Sequence, residues 1–388
     1  MIYRDLSNVL KGLSGKMPIL SVTGPRQSGK TTLVREVFSG HEYVNLENPN
    51  TLEEVKFDPE GFLRQRSGGL IIDEAQHFPE LFSFIQVISD EVGKKGEFVL
   101  TGSQHFLLSQ RISQSLAGRV FVTHLLPCTI SEANRFEHWR NSPNAAMYSG
   151  FYPRIHESRI EPHLFYPSYI QTYIERDVRQ IINITRLGDF QRFMRLLAGR
   201  VGQVMNYSAL ANEVGVDMKT IKAWTQLLEA SFVVFLLQPH HANYNKRIVK
   251  SPKLYFYDTG LVCNLLGVQS QEQLDAHWVR GSLFENMVIA DIKKYFHHHH
   301  RQLQLYFWRD SNGNEVDLLI EHSDGLDIAE IKSSTSVNAS FFKGLDYYSG
   351  LNQSVKRSFL IYGGEESRTR GRHLILPWHI AAQQIAEV

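Results

Sequence analysis

The chain has few cysteines, little net charge and no long apolar runs. Cys128 and Cys263 are its only cysteines; they lie far apart and fit no metal-ligand or disulfide spacing. That excludes a disulfide scaffold and points to a reducing, cytoplasmic setting. Forty-one basic residues against 40 acidic ones leave a net charge of +1, so nothing global demands a nucleic acid or a membrane. No apolar run approaches the roughly 20 residues that a membrane-spanning helix needs. The opening Met1-Ile2-Tyr3-Arg4-Asp5-Leu6 lacks the basic region and apolar core of a signal peptide, and no internal repeat is visible. The 388 residues are 43% hydrophobic and 11% aromatic, a composition that suits packed cores in two or three domains.

The most informative segment is Gly24-Pro25-Arg26-Gln27-Ser28-Gly29-Lys30-Thr31-Thr32, which reads G-x-x-x-x-G-K-T. The glycines let backbone N–H groups turn inward around phosphate oxygens. Lys30 is placed to reach the β- and γ-phosphates, and the Thr31 hydroxyl to ligate Mg²⁺. Ile19 to Thr23 reads as a buried strand before the loop and Thr32 to Phe38 as a helix after it, so the phosphates sit at a helix N-terminus. Gly24, Ser28, Gly29, Lys30, Thr31 and Thr32 are the expected nucleotide contacts.

Gly69-Leu70-Ile71-Ile72-Asp73-Glu74 is an apolar strand ending in two carboxylates, Asp73 lying 43 residues after Lys30. Asp73 fits a Mg²⁺-supporting role, and Glu74 that of the base that orients and deprotonates the attacking water. Glu97 to Gln104 forms another apolar strand with a polar end, where Ser103 or Gln104 is the expected sensor of the γ-phosphate. Leu107 to Arg119 reads as a helix. Arg119 is the expected arginine finger, with Arg111 a weaker choice; a finger acting in trans implies a homo-oligomer, at least transiently. Strands alternating with helices imply a parallel sheet covered on both faces. The resulting α/β domain spans 1–160.

Residues 161–265 change character. Between 165 and 260 twelve basic residues face seven acidic ones. Asn206 or Ser208 can cap a short helix, Gly215 can make a tight turn, and Asp217 can cap a second helix through Leu228. That is helix-turn-helix anatomy, with Lys219, Thr220 and Lys222 where a recognition helix meets DNA. Two following strands, with Lys246, Arg247, Lys250 and Lys253 in or beside the loop between them, complete a winged helix with a basic wing.

The last region, 266–388, carries Glu315-Val316-Asp317-Leu318-Leu319-Ile320 and Asp327-Ile328-Ala329-Glu330-Ile331-Lys332. As a hairpin these strands place Asp317 opposite Glu330, with Lys332 on the same face as Glu330. A helix from Arg280 can bring Glu285 alongside. The arrangement resembles the PD-(D/E)XK nuclease core, which implies Asp317, Glu330 and Glu285 as metal ligands and Lys332 as the catalytic lysine. The run His297-His298-His299-His300 reads as a solvated loop, because neighbouring histidines cannot all face one ion.

Taken together, these segments resemble a family of bacterial and archaeal AAA-type ATPases whose C-terminal domain has no assigned function. Leu116-Ala117-Gly118-Arg119, Tyr173-Ile174-Glu175-Arg176-Asp177, Lys246-Arg247-Ile248-Val249-Lys250 and Asp258-Thr259-Gly260-Leu261 add to the phosphate loop and Asp73-Glu74-Ala75-Gln76 in carrying that resemblance. It implies a P-loop AAA-type ATPase domain, a central winged helix and an α/β nuclease-like C-terminal domain, with ATP and Mg²⁺ as cofactors. The expected activity is ATP hydrolysis coupled to DNA engagement, with cleavage by the C-terminal domain open. The competing expectation is an ATP-driven switch whose C-terminal domain binds protein or nucleic acid without cutting.

Overall fold

The computed structural model describes residues 2–66, 68–102, 116–174, 187–240 and 251–387. The chain divides into two compact units. The first is Met1–Cys128 with Ala230–Phe232 and His297–Arg301; the second holds the remainder.

In the first unit, β1 (Ile19–Thr23), β2 (Glu42–Asn45), β3 (Leu70–Asp73), β4 (Phe98–Gly102) and β5 (Val120–His124) form a parallel sheet of order β2-β3-β4-β1-β5. The alternation of side chains along each strand feeds two cores. Ile19, Leu70, Ile72, Phe98 and Leu100 join one with Phe82 and Ile85 of the helix Leu81–Val92. Leu20, Val22, Ile71 and Val99 join the other with Leu33 and Val34 of the helix Lys30–Val37 and with Leu6 and Leu10 of the helix Leu6–Ser14. Burial on both faces is why the central strands β1, β3 and β4 are predominantly apolar. β4 lies between β1 and β3, so Thr23, Gly102 and Asp73 come side by side at one end of the sheet. The loop Gly24–Gly29 leaves from that end.

The second unit contains β6 (Val234–Pro239), β7 (Lys253–Phe256), β8 (Gln304–Arg309), β9 (Glu315–His322), β10 (Gly325–Lys332), β11 (Val355–Tyr362), β12 (Arg368–Arg370) and β13 (His373–Pro377). They make one mixed sheet of order β12-β13-β11-β10-β9-β8-β6-β7. β9 and β10 are the antiparallel hairpin that their alternation foretells. β6 changes partner midway: Val234 to Leu237 pair with β7, and Gln238 and Pro239 with β8. The two strands expected as a wing thereby continue into the sheet of residues 304–377.

The helix pair before β6 also forms. Asn206 Oδ1 accepts from Ala209 N–H at 3.0 Å, starting the helix Tyr207–Val214. Gly215 closes it in the left-handed region, φ +87°. Asp217 accepts from Thr220 N–H at 2.9 Å at the start of the helix Met218–Ala230. Phe190 and Phe193 of the helix Leu187–Ala198 pack on Trp224, fixing the pair from inside.

The histidine run departs from expectation. The helix Arg280–His298 continues through its first two members, and His298 is fully buried rather than solvated. Its Nε2 accepts the Leu126 N–H at 3.1 Å, which satisfies a buried donor and gives the ring a reason to leave water. Among the described residues no helix is long and apolar enough to cross a membrane.

Candidate functional site

The phosphate loop closes on itself. Lys30 is 6% exposed, and its Nζ donates to the carbonyls of Gly24 and Pro25 at 2.9 and 2.8 Å. Gly29, φ +93°, turns the chain into the helix Lys30–Val37. Gly24 is required by close approach: a Cβ there would sit 2.1 Å from the Leu125 carbonyl oxygen. Ser28 is buried within the loop, while Thr32 is exposed on the first turn of the helix.

Asp73, 3% exposed, sits beside this loop. Its Oδ2 accepts from Thr31 Oγ1 and Tyr43 Oη, each at 2.7 Å. Its Oδ1 accepts from Thr101 Oγ1 and from Glu74 N–H. Burial, then the hydrogen bond to Asp73, holds the Tyr43 phenol well above its ordinary range, so Tyr43 stays a donor. Glu74 adopts φ +52°, a left-handed turn uncommon for a residue with a Cβ. The Gln76 amide donates to its carboxylate. Lys30, Thr31, Asp73 and Glu74 are therefore gathered at one end of the sheet, as the motifs imply. Tyr43 and Thr101 were not foreseen; only the strand order places them there.

Arg119 stands elsewhere. It precedes Val120, which pairs with Ile19 at the N-terminal end of β1, while the phosphate loop leaves the C-terminal end. Five strand residues at about 3.3 Å each separate the two ends by about 16 Å. Its guanidinium grips Asp90 with two hydrogen bonds of 2.6 and 2.8 Å. Its own loop is thus out of its reach. Ser103, Gln104, Arg111, Lys246, Arg247 and Lys250 lie outside the described residues.

A second cluster forms in the second unit. Pairing of Ala329 with Leu318 puts Glu330 next to Asp317. Asp317 Oδ2 accepts from Ile331 N–H at 2.8 Å. Lys332 Nζ lies 2.5 Å from Glu330 Oε1 and 3.7 Å from Asp317 Oδ2. Glu285 comes from the helix Arg280–His298 and accepts from Tyr255 Oη at 2.5 Å. The four expected residues are joined by three others: Lys253, Tyr255 and Glu315.

Lys253 corrects its reading as a wing residue in contact with DNA. It is 3% exposed, and its Nζ pairs with Glu285 Oε1 at 3.1 Å and with the Glu315 carboxylate. Lys253 and Tyr255 are two apart on β7 and so face the cluster together; that spacing was the available signal. Burial lowers the Lys253 pKa, but Glu285, Asp317 and Glu315 outweigh it and leave the ammonium firmly charged. Burial, then the Asp317 charge, pushes Glu285 up to about 7 and Glu330 up to about 8.

The two sites differ in how they suit a divalent cation. Thr31 Oγ1 and Asp73 Oδ2 are adjacent hard oxygens beside a phosphate loop, a donor set that fits Mg²⁺. In the second cluster lysines lie on the carboxylates, and among the described residues no group of three or more His, Cys, Asp or Glu is arranged to hold a metal. As arranged, Glu285 is engaged by Lys253, and Glu330 by Lys332.

Residues 16–134 match the family model described as an AAA domain; 141–272 and 280–381 match two domains of unknown function, DUF8612 and DUF4143. An uncharacterized protein of Mycobacterium tuberculosis is 30% identical over 365 residues, spanning 93% of this chain and 80% of that protein. An uncharacterized protein of Methanocaldococcus jannaschii is 20% identical over 352 residues, spanning 82% and 75%. Among solved structures, the Walker-type ATPase of Pyrococcus abyssi aligns over 67% of this chain and 94% of its own, with 14% identity and a TM-score of 0.41.

Proposed function

Because the chain belongs to the AAA-type ATPase family in which an AAA domain precedes DUF4143, we propose that it is a Mg²⁺-dependent ATPase whose second unit engages DNA. The observation that carries the ATPase reading is the Thr31–Asp73 hydrogen bond beside Lys30, which joins both phosphate-binding motifs in one site. Thr31 and Asp73 would hold Mg²⁺, which would supply charge neutralisation to a bound triphosphate. Tyr43 and Thr101 keep Asp73 oriented. Lys30 exchanges the carbonyls of Gly24 and Pro25 for phosphate oxygens. Glu74, steadied by Gln76, accepts the proton of the attacking water. Arg119 serves the loop of a neighbouring copy, which makes turnover depend on assembly.

DNA engagement is assigned to the helix Met218–Ala230, whose Lys219 and Lys222 are exposed. The second reading, a switch that binds without cutting, is favoured at the C-terminal cluster by the lysines seated on its carboxylates. We therefore propose that Asp317, Glu330, Lys332 and Glu285 act in binding.

Steady-state phosphate release tests the first claim: Lys30→Ala should lower turnover by at least about 100-fold, the scale for removing one charge-stabilising donor, and an unchanged rate sinks it. Plasmid incubated with Mg²⁺ or Mn²⁺, with and without ATP, should stay intact. Metal-dependent cleavage lost in Asp317→Ala would restore the nuclease. A gel shift should weaken with salt and weaken further in a Lys219→Ala/Lys222→Ala variant.

A further inference from the structure

The histidine run has no part in ATP binding as described, yet its contacts lead to both ends of the phosphate loop. All of these contacts lie within the first unit. The His297 ring meets the His124 ring edge-on, centroids 5.9 Å apart. His124 Nδ1 lies 2.6 Å from Thr23 Oγ1, and Thr23 immediately precedes Gly24. His298 Nε2 accepts from Leu126 N–H at 3.1 Å. The Leu126 carbonyl in turn accepts from Arg4 at 2.8 Å, and the same guanidinium donates to the Ser28 carbonyl at 2.7 Å. One route ends at the entry to the loop and the other inside it.

Arg4 suits this task because a planar guanidinium can bind two carbonyls at once in a fixed geometry, which an ammonium holds less rigidly. It is buried, at 6% exposed, so neither carbonyl can exchange it freely for water. To load a triphosphate, Lys30 must release the Gly24 and Pro25 carbonyls that it presently holds, which frees two carbonyls of the loop. Ser28, Leu126 and His298 are connected to that rearrangement through hydrogen bonds rather than through loose packing.

We propose that Arg4 is a positioning residue of the phosphate loop, and that with His297 and His298 it forms a brace coupling nucleotide loading to the helix Arg280–His298. His297 and His298 lie in the last turn of that helix, so the brace ties the phosphate loop to the helix end within the first unit. The proposal rests on the reading that the loop binds ATP. Coupling of this kind is reciprocal: nucleotide alters the helix, and the helix end alters nucleotide affinity by the same factor.

The full-length chain is titrated with ATPγS and Mg²⁺ by calorimetry, and amide hydrogen exchange is followed with and without it. Nucleotide should slow exchange across residues 280–298 more than across Met218–Ala230, which reports any general stabilisation. His298→Phe, which removes the acceptor, should weaken ATPγS binding by about tenfold, within the usual range of coupling energies, and abolish the selective protection. Arg4→Lys, which keeps the charge and loses the fork, should act in the same direction. The double variant should fall short of the product of the single effects, as expected of one connected chain. Wild-type binding without a selective exchange response overturns the brace alone, whether or not the variants fold. Variants binding within twofold of wild type also overturn it. Failure of the wild-type chain to bind nucleotide overturns the ATP reading and the brace with it.

Discussion

Asp73 and Asp317 both sit buried on apolar strands with a lysine nearby in sequence or space, and their surroundings treat the charge in opposite ways. Asp73 is served by the hydroxyls of Thr31, Tyr43 and Thr101 and by one backbone N–H, all neutral donors. Lys30 is engaged with backbone carbonyls. Asp317 stands among Glu285, Glu330 and Glu315, interleaved with the ammonium groups of Lys253 and Lys332. In the first site these partners of the carboxylate are all neutral donors. In the second, four carboxylates share two ammonium groups, and the ion pairs are made within the cluster. Similar residue types thus give one acid whose partners are neutral hydroxyls and another whose partners are ammonium groups.

The sharpest way to break this contrast is at the base. Glu74→Gln should lower ATP turnover by about 10²- to 10⁴-fold while leaving nucleotide affinity near wild type, read by phosphate release beside calorimetry. A matched loss of affinity would mean that Glu74 holds structure, as the acids of the second site do. Next in size is Lys253→Met. Leaving Glu285 and Glu315 without their cation should destabilise the chain by about 3–5 kcal/mol, seen as a lower midpoint in chemical denaturation. A neutral outcome would mean that Lys253 does not offset the carboxylates around it.

The smallest effect is a pH dependence. Glu285 and Glu330 hold their protons to about pH 7 and 8 when folded, well above the ordinary glutamate range. The folded chain therefore binds more protons than the unfolded one between that range and about pH 8. Stability from these groups is full below the ordinary range and declines as pH rises through the window. In metal-free buffer the denaturation midpoint should fall from pH 5 to 8, and Glu330→Gln should flatten the slope. A midpoint that climbs with pH would contradict the arrangement.

What could be read from the chain was local. The phosphate loop, the strand ending in Asp73, the Asn206 and Asp217 caps and the β9–β10 hairpin all depend on spacings within a few residues or on simple alternation. The parts that escaped depend on which distant strands become neighbours. Lys253 looked like one more basic residue of a wing until β6 changed partner and β7 turned its alternate residues toward Glu285 and Glu315. Tyr43 and Thr101 joined Asp73 only through the order β2-β3-β4. The histidine run looked polar enough for solvent, whereas the Leu126 N–H needed an acceptor. No local pattern encodes such a demand.

Glu74 has a consequence of its own. A residue with a Cβ in the left-handed region gives up about 1 kcal/mol, and glycine gives up almost none. Replacement by glycine would relax the turn and remove the carboxylate that we propose as the base in one step. If the proposed role of Glu74 is right, a chain selected for thermal robustness alone would drift toward a sturdier nucleotide binder that no longer turns over.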